Sequence, residues 1–306
     1  MTTTKNSTAE TAARVDIYTR VTDRIVAALE AGHRPWLKPW HAEHAAGRIT
    51  RPLRHNGTPY SGINVICLWM EAEQRGYVSP YWLTYKQAQE LGGHVKKGEH
   101  GAPVVYADTF KKKEAGENGD EVERQIPFLK QYTVFAADQV EGLPAHFYEL
   151  ANRPSETLER IERADAFFAH TQADIRTGGN QAFYALEPDY VRMPPFETFR
   201  DAESHAATLA HELTHWTRHP SRLDRDLGRK RFGDAGYAME ELVAEMGAAF
   251  LCADLQLTPE TRDDHAAYIG TWLKVLKDDK RAIFSAASYA SKAADFLHGL
   301  QPRAAA

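Results

Sequence analysis

Apolar residues recur at helical spacing over residues 12–31, where Val15, Ile17, Tyr18, Val21, Ile25, Val26, Ala28 and Leu29 build one face. Gly32 and Pro35 close that run. The following RPWLKPW (34–40) is too aromatic and proline-rich for regular structure. After the turn-rich HNGTPYSG (55–62), the pattern predicts a helix from Ile63 to Arg75 and a short one over 84–91, stopped by Gly92 and Gly93. Two β-rich runs follow, PVVYADTF (103–110) and PFLKQYTVF (127–135), and the charged segment between them predicts a mobile hairpin loop. A composition change at EGLPAHFYELANRPSE (141–156) marks an interdomain link. Beyond it come a helix near 155–170, two short strands in QAFYALEPDYVRMPP (181–195) joined by a Glu-Pro-Asp turn, and helices from Phe199 to Leu300. The expected class is α+β in two domains: a lead-in of residues 1–11, a mixed domain over 12–143, a link at 144–154, and a mostly helical domain with a small sheet over 155–306.

With 43% hydrophobic and 26% charged residues in 306, the composition is that of a soluble globular chain with room for two cores. No apolar run approaches a membrane span, and the N-terminus lacks an apolar signal core, so no membrane partner is expected. Cys67 and Cys252 flank no motif and fit reduced thiols, which points to the cytoplasm. Net charge is +1 over residues 1–145 and −6 over 146–306. Any nucleic-acid contact therefore rests on a local patch rather than on overall charge.

Residues 211–215 read HELTH. On a helix, positions four apart share a face, so His211 and His215 can turn both imidazoles to one metal ion. Glu212 lies off the ligand line, where a carboxylate acts as a base on water. A third ligand is then needed. The segment 236–255 reads as a helix with Glu241, Glu245, Ala248 and Cys252 on one stripe beside an apolar face of Leu242, Met246, Ala249 and Phe250.

HELTH followed by Glu241 and Glu245 resembles the zincin metallopeptidases of the gluzincin kind. The resemblance implies Zn²⁺, or another divalent metal, on His211, His215 and Glu241, with Glu245 supporting a ligand histidine and Glu240 as the alternative ligand. Arg218 stands where the metzincin pattern requires Gly. Tyr184, Tyr190 and Tyr237 are the candidates for stabilising a transition state, and DYVRMPP is expected to be the strand edge that receives an extended peptide.

The first half interleaves aromatic and basic residues, and a sequence-tolerant single-strand binder needs both. Trp36, Lys38, Trp40, Arg54, Tyr60, Trp82, Lys86, Lys96 and Lys97 are the candidate contacts. The stretches PWLKPW, NGTPYSGINVICLW, SPYWLTYKQAQELGGHVKKGEHG and YTVFAADQV, with MPPFETFRDAESHAATLAHELTHWTRH and YAMEELVAEMGAAFLCADL, resemble the ArdC-type antirestriction proteins over about residues 14–300. That resemblance implies an N-terminal single-stranded-DNA-binding domain, a C-terminal zincin-like domain, and protection of incoming plasmid DNA from host restriction, with a host restriction-modification protein as a further partner. Two rival readings are a metallopeptidase whose first half recognises a protein, and a DNA-binding protein with a structural or inactive zinc. DNA binding and metal chemistry, carried by different halves joined by a Pro-containing link, are expected to be largely independent energetically.

Overall fold

The computed structural model describes residues 16–37, 50–115, 121–148, 157–228, 234–259 and 266–302. The first half contains α1 (Ile17–Glu30), β1 (Leu53–Arg54), α2 (Ile63–Arg75), β2 (Tyr81–Leu83), α3 (Tyr85–Glu90), β3 (His94–Val95), β4 (Ala102–Ala115), β5 (Glu121–Ala136) and β6 (Val140–Glu141). The second contains α4 (Thr157–His170), β7 (Asp174–Thr177), β8 (Phe183–Ala185), β9 (Tyr190–Met193), α5 (Ala202–Trp216), α6 (Ala235–Leu255), α7 (Ala266–Asp278) and α8 (Ala282–Gly299). Helices and small sheets in two segments make this an α+β fold.

In the first half the sheet order is β1-β2-β5-β4, with β1 and β2 parallel across α2 and the remaining pairs antiparallel. A capping box starts α3: Gln87 N–H donates to Thr84 Oγ1, and Thr84 N–H donates back to the Gln87 side chain. Asn64 of α2 completes the outer edge of β4, donating to Val105 O and accepting from Val105 N, both at 2.8 Å. The β4–β5 ribbon is longer than its apolar alternation predicts. Its register runs from Ala102↔Val134 to Ala115↔Glu121, so much of the charged segment expected to be loop is strand. An antiparallel pair satisfies its backbone whatever side chains it carries, which is why the charge run did not stop it. The expected loop tip (116–120) and the interdomain link beyond Tyr148 (149–156) lie outside the described residues.

In the second half the three-stranded sheet has the order β7-β9-β8, with β9 parallel to β7 and antiparallel to β8. The expectation that DYVRMPP forms an edge is corrected: β9 is the central strand and β7 and β8 are the edges. Its alternate residues Val191 and Met193 are buried, as a central strand over a helix layer requires. Asp201 caps α5 by accepting from Ser204 N at 2.7 Å, and Asp234 caps α6 by accepting from Tyr237 N at 2.7 Å. Both helices are buried along nearly their whole length. They meet at Gly247, where a Cβ would fall 2.5 Å from Thr214 Cγ2 and 2.8 Å from Thr214 Oγ1. Only glycine permits that approach.

One hydrophobic core runs through both halves. Val21, Ile25 and Leu29 of α1, Ile66 and Trp69 of α2, Leu213 of α5, Leu242 and Phe250 of α6, and Ile283 and Ala287 of α8 belong to the same cluster. Tyr18 meets Phe284, Trp36 meets Trp272 and Trp69 meets Phe250 edge-on, with centroids 4.7–5.8 Å apart. Arg51 holds Asp254 through two 2.7 Å bonds, and Thr22 donates to Lys280 O at 2.6 Å. The two halves are therefore packed as one unit, because each supplies side chains that the other needs for burial.

Candidate metal centre

The crossing of α5 and α6 sets the site. His211 and His215 lie one turn apart on α5, and Glu241 comes from the second turn of α6. One ligand atom from each of the three lies within 4.8 Å of the others, all buried. The imidazole Nε2 atoms are 3.2 Å apart, and each is 3.6 Å from a Glu241 carboxylate oxygen. Two imidazoles and a carboxylate converging in a buried pocket fit a divalent ion in both donor chemistry and number. Glu212 is 2% exposed and its charge acts on His211, yet it is not part of the ligand triangle.

A second layer orients this set. His215 Nδ1 donates to Glu240 Oε1 at 3.0 Å, which leaves Nε2 facing Glu241. Arg225 donates to Glu240 from Nε and NH2, both at 2.8 Å, and its NH1 and NH2 also reach Thr217 Oγ1 and Thr214 O. The alternative-ligand expectation for Glu240 is therefore corrected: its carboxylate is engaged behind His215. Burial would raise Glu240, but the Arg225 guanidinium and His215 bring it down to about 2. Burial would likewise lower His215, and the carboxylates of Glu241 and Glu240 carry it up to about 9. Burial would raise Glu241 too, but the two imidazoles hold it far below the usual carboxylate range. For His211 burial prevails and its pKa is lowered.

Glu245, one turn beyond Glu241, is also buried, and its Oε2 accepts from the Trp36 indole at 3.0 Å. Of the three tyrosines considered for a catalytic role, Tyr237 is the one near the site: burial first, then Tyr268 and the Glu241 carboxylate, raise its pKa, and its hydroxyl lies 3.0 Å from that of Tyr268. Tyr184 is tied to Asp189 and Arg222, and Tyr190 lies under Arg176. Arg225 is the site residue that sequence reasoning missed. It sits in an irregular segment, where no periodicity could have pointed to it.

Comparison with known proteins bears on both halves. Residues 15–135 match the N-terminal domain of anti-restriction factor ArdC, and residues 162–289 match a zincin-like metallopeptidase family. The crystal structure of antirestriction ArdC protein from R388 plasmid, metal-free, is 49% identical, with a TM-score of 0.78 over 93% of this chain and 97% of that one. The chain belongs to the ArdC antirestriction family. A Mn(II)-bound structure of the same R388 protein matches with a TM-score of 0.76 at the same identity, covering 93% of this chain and 98% of that one. An uncharacterized protein, y4eC, from Sinorhizobium fredii (strain NBRC 101917 / NGR234) is 45% identical over 94% of this chain and 92% of its own length. A DNA primase TraC from Escherichia coli is 38% identical over 91% of this chain, which spans only 26% of that primase.

In this ArdC-family chain, the expected DNA contacts divide sharply. Trp36, Tyr60 and Trp82 are 0%, 8% and 2% exposed, so they cannot act as stacking platforms, and that expectation is corrected. Their rings fill the shared core, where burial of a large aromatic contributes most. Arg54, Lys86, Lys96 and Lys97 are exposed, with Lys96 Nζ also donating to Asp138 O. Lys38 and Trp40 lie outside the described residues. Tyr85, Tyr106 and Tyr132 are exposed on the same half, at 53%, 49% and 45%. Among the described residues no helix is long and apolar enough to cross a membrane.

Proposed function

We propose that this chain is a cytoplasmic antirestriction protein that binds single-stranded DNA and carries a zinc-dependent peptidase site. The observation supporting the second part is the buried convergence of His211, His215 and Glu241 with Glu212 beside them. In this reading His211 Nε2, His215 Nε2 and the Glu241 carboxylate hold the ion, and the segments 12–143 and 155–306 carry the two activities. The ion, when bound, supplies Lewis-acid polarisation of a carbonyl and lowers the pKa of water. The Glu212 carboxylate takes the proton from the attacking water and returns it to the leaving amine. Glu240 and Arg225 keep His215 in the tautomer whose Nε2 lone pair faces the ion. We assign to the Tyr237 hydroxyl, as a hydrogen-bond donor, the stabilisation of negative charge developing on the carbonyl oxygen.

For DNA the supporting observation is exposure. Tyr85, Tyr106 and Tyr132 are exposed aromatics, and Arg54, Lys86, Lys96 and Lys97 are exposed cations that can follow phosphates. A host restriction-modification protein is the substrate that unites both activities. The test uses Glu212→Ala, which removes the base and leaves the ligands. We expect unchanged metal content and single-strand affinity, with peptidase activity lowered by about 10²-fold or more. Protection of incoming DNA should be lost if protection requires cleavage. Full protection by the variant would favour DNA coating over proteolysis, and full peptidase activity would refute Glu212 as the base.

A further inference from the structure

We propose that Arg34 and Trp36, supplied by the N-terminal half, are positioning residues of the metal centre, acting through Glu245. This rests on the reading of His211, His215 and Glu241 as ligands. The Trp36 side chain is fully buried, and its indole N–H donates to Glu245 Oε2 at 3.0 Å. Arg34 NH1 lies 3.6 Å from the same oxygen and, although buried, makes no hydrogen bond. Glu245 follows Glu241 by one turn, on the same face of α6. Trp36 also packs edge-on against Trp272 at 5.8 Å, and the Trp272 indole donates to Ala238 O at 2.9 Å.

The Trp36–Trp272 pair therefore grips α6 at Ala238 and at Glu245, on either side of Glu240 and Glu241. A buried carboxylate that loses a donor bears more of its desolvation penalty. Without the Trp36 N–H, the Glu245 carboxylate is drawn toward its other neighbours, Arg34 among them, and a turn or slide of α6 that follows carries Glu241 with it. The N-terminal half is then part of the metal site, and the metal site is one reason the halves share a core. Side chains two layers out from an ion act on it through such displacement of a ligand, not through contact.

The test is made on the full chain with Mn(II) as probe, reading affinity by chelator competition and thermal midpoint in excess chelator. Trp36→Phe keeps most of the ring and removes the N–H. Trp69→Phe is the matched control: its indole N–H donates to Thr50 O at 3.0 Å, and its ring packs on Phe250 in the same core. We expect Trp36→Phe to weaken Mn(II) binding about tenfold, while Trp69→Phe stays within about twofold at a comparable fall in midpoint. Arg34→Gln, which leaves the indole bond in place, should weaken binding severalfold and serves if Trp36→Phe fails to fold. Equal weakening in Trp36→Phe and Trp69→Phe, or none in Trp36→Phe and Arg34→Gln, would overturn the proposal. Wild type and His215→Ala binding Mn(II) alike would show instead that the ligand reading has failed, and this proposal would fall with it.

Discussion

Alanine at position 247 would press its Cβ against Thr214, at 2.5 Å from Cγ2 and 2.8 Å from Oγ1. Carbon atoms in contact prefer about 3.5–4.0 Å, so α5 and α6 must part by roughly an ångström. Thr214 cannot swing aside, because its hydroxyl donates to Ala210 O at 2.8 Å and a β-branched side chain is stiff at χ1. On an isolated helix the same change is favourable by about 1 kcal/mol. Overpacking a filled interior costs about 1–3 kcal/mol, so the sign of the net effect reports on the crossing itself. We expect the clash to prevail by up to about 2 kcal/mol, measured by urea denaturation of the metal-free protein. Mn(II) affinity should fall as well, since His211 and His215 ride on one helix and Glu241 on the other. Thr214→Ala in the Gly247→Ala background removes both clashing atoms and should restore part of each loss. A Gly247→Ala protein more stable than wild type, with unchanged metal affinity, would refute the close crossing as the device that sets the site.

Two further outcomes follow from the layer behind the ligands. Arg225→Ala takes the guanidinium from the buried Glu240 carboxylate and leaves it the His215 bond, so stability should fall by about 2–4 kcal/mol and metal affinity by about 10–100-fold. Urea denaturation and chelator competition check this, and a loss below about 1 kcal/mol would contradict a buried pair. His215, raised from 6.5 to about 9, must release its proton to receive a metal, so affinity should climb about tenfold per pH unit between 7 and 9 and flatten above. In the metal-free protein the sign is reversed: the stability contributed by protonated His215 is fully present below 6.5 and is lost as pH rises through about 9. Calorimetric titration at several pH values checks the first, and an affinity constant over that window would contradict it.

The pairing of His211 and His215 was legible because a four-residue spacing on a helix puts both on one face. Periodicity gave only a stripe holding Glu241 and Glu245, and the resemblance to gluzincins singled out Glu241. Which acid supports which histidine was not legible. Helical periodicity pairs Glu241 with Glu245, whereas the crossing of α5 and α6 sends Glu240 to His215, with Arg225 fixed from an irregular segment. Trp36 was misread because composition cannot separate a buried indole from an exposed one, and its partner lies 209 residues away. The two-residue strands β1, β3 and β6 are too short to leave a period. The shared core escaped for a similar reason: α1 is amphipathic whichever half it packs against, and only the fold shows that α7 and α8 cover it.

The central claim is that His211, His215 and Glu241 hold one divalent ion, and anomalous diffraction from crystals of the full chain grown with Zn²⁺ tests it most directly. The account predicts one strong peak at about 2.0–2.2 Å from both imidazole Nε2 atoms and a Glu241 oxygen, and no peak there in crystals of His215→Ala. A peak held by other residues with none at this cluster, or one that persists undiminished in His215→Ala, would contradict it.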